Sequence, residues 1–157
     1  MIMIKMARFL IAFTLLVASA AASTDPFMGK WLLNVQRSKY PAGACPKYMV
    51  VEMNTVGHGI HYRSDATYIN GATTRAEYTA EYDGKQVIVM GTHAMLLPVF
   101  LKHIDSHTVV ASYTKTLQVV ARSRRVVSTN GQLMTITTTS KDKSGKNVTT
   151  IGVYERQ

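Results

Sequence analysis

From residue 47 onward, apolar and polar side chains alternate with a period of two, the pattern of strands with one face in a core and the other in water. Ile60, Tyr62, Ala66 and Tyr68 alternate with His61, Arg63, Asp65 and Thr67. Beyond Asn70-Gly71, Ala76, Tyr78, Ala80 and Tyr82 alternate with Arg75, Glu77, Thr79 and Glu81. The two runs read as a hairpin with one tyrosine and alanine face and one charged face. Turn signals recur at Gly57-His58-Gly59, Asn70-Gly71, Asp83-Gly84, Asp105-Ser106, Asn130-Gly131 and Ser144-Gly145. They bound predicted strands near 47–55, 60–68, 73–83, 86–91, 98–104, 107–116, 118–128, 132–141 and 146–155, with an earlier one at 30–34. No segment carries a helical period, so the chain reads as all-β, a single up-and-down antiparallel meander of about 8–10 strands. Left flat, such a meander keeps two open edges that pair with other chains. Closure into a barrel removes them, and a two-layer sandwich is the second choice.

The first strand opens with Gly29-Lys30-Trp31, which holds the one tryptophan of the chain. Asp25-Pro26 disfavours helix just before it. After it, residues 35–40 fit one irregular turn and Pro41 to Pro46 a loop, together too short for a helical hairpin lid.

Composition changes this picture at the N-terminus. Lys5 and Arg8 precede an apolar run from Phe9 to Val17, and Ala18-Ser19-Ala20-Ala21-Ala22 supplies small residues for cleavage, so residues 1–22 read as a secretory signal peptide. The remaining 23–157 is one domain, large enough for a core without metals or disulfides. Cys45, the one cysteine, reads as an ordinary loop residue, since no basic neighbour lowers its pKa. Without Lys5 and Arg8 the chain holds 16 basic and 9 acidic residues, a balance that favours anionic surfaces and ligands. The basic residues are scattered and export is expected, which argues against a nucleic-acid partner.

The runs DPFMGKWLLNVQRSKY at 25–40 and RRVVSTNGQLMTITT at 124–138, with the terminal VYERQ, resemble a family of small exported bacterial proteins of unknown role described as lipocalin-like. Gly29-x-Trp31 is also similar to the first strand of lipocalins and other calycin barrels. In those barrels the tryptophan packs across the floor beneath a basic residue from a late strand. The resemblance implies a calycin-type β-barrel in an exported protein, with Gly29 and Trp31 in structural roles; with the signal peptide, a periplasmic or secreted protein is expected, and a monomer. It offers Arg156 as the basic partner, with Arg124 and Arg125 as alternatives.

If the apolar faces point inward, Met49, Val51, Met53, Tyr62, Tyr78, Tyr82, Val109, Tyr113, Met134 and Ile136 line the lumen, as a filled core or as the wall of a cavity. Tyrosine gives a rigid ring with a polar end and methionine adapts to irregular shapes, so Tyr62, Tyr78, Tyr82, Tyr113 and Met53 are candidate ligand contacts. On strand 118–128 the face with fewer charges holds Val119, Ala121, Ser123, Arg125 and Val127, which aims Arg125 inward. A buried charge needs a counterpart. For Arg125 it is either a ligand carboxylate, or a position at the barrel mouth or a protein carboxylate such as Glu52 removes the need.

The five histidines sit at hairpin reversals or apart, without metal-ligand spacing, so no metal or cofactor is expected. Neither a nucleophile elbow nor a phosphate loop occurs, and no acid–base pair can be assigned, so the chain does not read as an enzyme. Asn147-Val148-Thr149 matches the glycosylation sequon by chance in a bacterial-type protein. The reading that remains is a barrel that binds a small apolar or amphipathic, anionic ligand. The alternative is an interaction module whose basic outer face contacts envelope polymers or an acidic partner.

Overall fold

The computed structural model describes residues 25–157, so the expected signal peptide at 1–22 lies outside the described residues. The elements are β1 (Gly29–Leu33), a short 3-10 turn (Val35–Arg37), β2 (Tyr48–Val56), β3 (Gly59–Thr67), β4 (Thr73–Glu81), β5 (Met90–Thr92), β6 (Val99–Asp105), β7 (Thr108–Lys115), β8 (Gln118–Val127), β9 (Leu133–Lys141) and β10 (Asn147–Arg156). All ten strands join one antiparallel sheet in the order β5-β4-β3-β2-β1-β10-β9-β8-β7-β6. The first and last strands are thus neighbours, with Trp31 opposite Arg156 and Leu33 opposite Tyr154.

The alternation predicted over the β3–β4 hairpin is present. Tyr62, Ser64 and Ala66 face inward against Ala76, Tyr78 and Ala80, with Tyr62 directly opposite Tyr78. On β8, Ala121, Ser123, Arg125 and Val127 are buried, while Arg122 and Arg124 stay exposed.

The strand expected at 86–91 is the departure. Its residues alternate as a strand should, but the segment changes partner halfway. Low on the barrel it bonds β6: Gly84 N–H donates to Leu101 O at 3.1 Å, and Val87 and Val99 exchange bonds of 2.8 and 2.9 Å. Higher up, Met90 and Gly91 pair with Glu77 and Ala76 of β4. Only Met90–Thr92 forms a regular strand, and β5 and β6 share no ladder of their own. Gly91 makes the crossing possible, for its φ is 147° and a Cβ there would fall onto the Arg75 carbonyl. The wall is therefore closed by one segment stitched to both sides.

The connections β1–β2, β3–β4, β5–β6, β7–β8 and β9–β10 lie at one end, called the mouth; the start of β1, the end of β10 and the other four turns lie at the floor. The lower half is packed solid by Phe27, Trp31, Met53, Val99, Leu101 and Met134. Each such side chain contributes about 1.5–3 kcal/mol through burial alone. At the very bottom Trp31 is fully buried and its Nε1–H donates to Phe27 O at 2.9 Å. Arg156 lies across its ring, 4.1 Å from the centroid, and donates to the carbonyls of Gly131, Met28 and Pro26. The guanidinium is thus stacked and hydrogen-bonded to three carbonyls on two backbone segments, which ties residues 26–28 and the end of β10 to the β8–β9 turn.

Candidate functional site

Above this packed floor the inward faces separate around a cavity of about 260 Å³ that opens toward the mouth. Register explains its composition. Tyr62 and Tyr78 meet as a cross-strand pair, stacked with centroids 4.8 Å apart and planes inclined by 14°. Such pairs contribute about 0.5–1.5 kcal/mol beyond their area. Ser64 and Ala76 continue those two faces upward, and the small residues leave the space that Tyr62 and Tyr78 bound from below. On β10, Gly152 does the same. A Cβ there would come within 2.7 Å of the Tyr154 ring and 2.9 Å of the Tyr40 hydroxyl, both cavity residues.

Arg125 enters from the opposite wall on β8 and is only 2% exposed. Its guanidinium sits 4.6 Å from the Tyr62 ring centroid and 6.0 Å from that of Tyr78, and Nη2 donates to Tyr78 Oη at 2.7 Å. Its other two nitrogens, Nε and Nη1, are buried without a hydrogen-bond partner. Among the described residues no carboxylate lines the cavity, and Glu52 is exposed to solvent. Two aromatic faces and one hydroxyl offset part of the cost of a desolvated cation, but they accept only one of its donor directions. Nearby hydroxyls are already occupied with one another, Ser123 and Thr138 being 2.6 Å apart.

The site carries one positive charge and no negative one. Burial lowers the affinity of Arg125 for its proton, but coupling to the ionised forms of Tyr78, Tyr113 and Tyr62, with the bond to Tyr78, outweighs burial and holds its pKa above the ordinary value. Burial raises the pKa of Tyr62 and of Tyr78, against the pull of Arg125, so both phenols stay neutral at physiological pH. Tyr154 is raised by burial in the same way.

Of the residues singled out from sequence, Tyr62, Tyr78, Tyr113 and Arg125 line the cavity together. Met53 and Tyr82 do not. Met53 is level with Gly29 in the β1–β2 register and is packed into the floor. Tyr82 falls just past the end of β4, where its hydroxyl donates to Asp25 Oδ2 at 3.0 Å and its ring lies against His103. Gly29 and Trp31 stand at the floor with Arg156, whereas Arg124 is exposed and Arg125 is in the cavity. Tyr40, Ser64, Ser123 and Tyr154 also line the cavity. Ser64 and Ser123 share the alternating faces of Tyr62 and Arg125, so that signal was present; Tyr40 comes from a loop, where alternation is silent. Among the described residues no group of three or more metal-binding side chains gathers, and no helix is long and apolar enough to cross a membrane.

Neither a protein-family model nor any curated protein sequence matches the chain. Among solved structures, the chain is similar to the zebrafish ileal bile acid-binding protein complexed with cholic acid, with a TM-score of 0.53 and 12% identity over 84% of this chain and 99% of that one. At this identity the likeness concerns the fold alone, and with the ten-stranded antiparallel meander it gives the chain a calycin-type, lipocalin-like β-barrel fold.

Proposed function

We propose that this barrel, exported to the periplasm or beyond, binds a small amphipathic anion, its acidic group on Arg125 and its apolar body among Tyr62, Tyr78, Tyr113 and Ile136. The observation that carries the reading is the state of Arg125: buried, charged, and left with two unpartnered donors in a cavity without a carboxylate. A carboxylate supplies two acceptors in the plane a guanidinium requires, and it cancels the buried charge. The volume supports a modest ligand, since about 260 Å³ falls just below the usual range for small-molecule pockets, about 300–1,000 Å³. A fold neighbour that binds cholic acid, itself an amphipathic carboxylic acid, points the same way.

Displacement of a fluorescent apolar probe by decanoate and by decanol tests the reading. Arg125→Met should weaken decanoate about tenfold or more, the value of a charge-assisted hydrogen bond, and leave decanol unchanged. An equal loss for both compounds refutes the role of the charge. The same substitution should stabilise the unliganded protein by about 1–3 kcal/mol in denaturant titration, because it removes buried donors that have no acceptor.

A further inference from the structure

The mouth of the barrel carries a second pattern, independent of what the cavity holds. The five connections at that end and the strand residues flanking them bear Lys47, Lys115, Lys141, Lys143 and Lys146, all exposed. None of these lysines has an ion-pair partner among the described residues. The one carboxylate in the same set, Asp142, is engaged within its own turn, accepting from Ser144 N, Ser144 Oγ and Lys146 N. The floor end is mixed in charge, with Asp25, Glu81, Asp83 and Asp105 beside Lys30, Lys85 and Arg156.

Between the lysines, large apolar side chains project into water. Leu117 at the β7–β8 turn is 92% exposed and Ile69 at the β3–β4 turn 84%; Leu96, Met95 and Tyr48 stand on the same rim. The local backbone argues against Leu117, for Thr116 and Leu117 both adopt left-handed conformations, with φ of 49° and 63°. A two-residue hairpin turn of this kind prefers Asn-Gly, so leucine here costs stability on the backbone side and gains no burial in return. Neither foldability nor solubility accounts for it.

We infer that the mouth docks on an anionic lipid surface, with Leu117, Ile69 and Leu96 entering the interface and the lysines resting on the headgroups. Two features favour a bilayer over a folded partner. The apolar residues are separate tips on different loops, with no shared groove to receive a shaped protein surface, and a fluid interface accepts isolated tips. The lysines surround the tips on flexible stems, as required to meet headgroup charge at the same depth. Such docking brings the open end of the cavity against the membrane.

The experiment uses the full chain in the Cys45→Ser background, with an environment-sensitive fluorophore on Leu117→Cys or, at the floor, on Asn130→Cys. Vesicles of phosphatidylcholine with phosphatidylglycerol should shift the Leu117 label to the blue and leave the Asn130 label unchanged; phosphatidylcholine alone should do neither. Added salt should reverse the shift. Lys143→Glu combined with Lys146→Glu should weaken unlabelled binding by about tenfold or more. Thr116→Asn with Leu117→Gly separates docking from folding, since it should raise the melting temperature while lowering vesicle binding. A Leu117 label that ignores anionic vesicles, that responds equally to neutral ones, or that is matched by the Asn130 label overturns the inference.

Discussion

Gly29 shows how narrowly single residues hold the floor. Its φ is 115°, and a Cβ would come 2.8 Å from Arg156 Nη1, the group stacked on Trp31. Gly29→Ala therefore combines backbone strain with displacement of the guanidinium from the indole. A loss of about 1–3 kcal/mol is expected in chemical denaturation. A red shift of Trp31 emission should accompany it, and unchanged emission would mean the stack survives. This pairing was legible in the sequence, because a strand-opening Gly-x-Trp and a terminal arginine become neighbours once the first and last strands do. Arg125 was legible too, from alternation on β8. What alternation cannot supply is height along the barrel axis. It put Met53 and Tyr82 on the inward side, and register places them at or near the floor, away from the cavity.

Among the elements, β5 and the segment leading into it are the weakest part of the wall. Gln86 to Gly91 reads as a strand, and β-propensity measures fit to a pleated surface without naming the partner. The structure divides that segment between β6 and β4, a choice made by Gly91 and by the length of chain available to span the barrel. Gly91→Ala should open this stitch selectively, because the added methyl falls onto the Arg75 carbonyl. Hydrogen exchange checks it. Amides of the 84–92 segment and their partners at Ala76, Glu77 and Val99 should lose protection, while Lys30 to Leu33 and Val153 to Arg156 keep theirs. Because Val89, Ala94 and Met95 line the cavity beside the stitch, ligand exchange should also quicken. Equal loss of protection around the whole barrel would show instead that the wall opens as one unit.

For the molecule as a whole, sequence left open whether the barrel is filled or hollow, since volume depends on how the strands tilt and stagger as well as on side-chain identity. The barrel is both, packed around Trp31 below and open around Arg125 above, and its tyrosines mark the boundary. This arrangement fixes its response to alkali. Tyr62, Tyr78 and Tyr154 have folded-state pKa values raised by burial, with Arg125 opposing in each, while in the unfolded chain they ionise near about 10. Below about pH 10 both states hold the phenolic protons and stability is fully present. Above it the unfolded chain releases them and the native state does not, so each such tyrosine costs about 1.4 kcal/mol per pH unit until its folded value is reached. Where all three phenols keep their protons in the native state the slope is about 4 kcal/mol per unit, so stability falls as pH rises above about 10. The part of the phenolate absorbance that comes from these three buried rings should therefore appear together with the loss of the β-sheet circular dichroism signal, above pH 10. If the phenols of Tyr62 and Tyr78 ionise gradually near 10 while the sheet stays intact, water already reaches the rings beside Arg125, and solvent satisfies the two guanidinium donors that have no partner among the described residues.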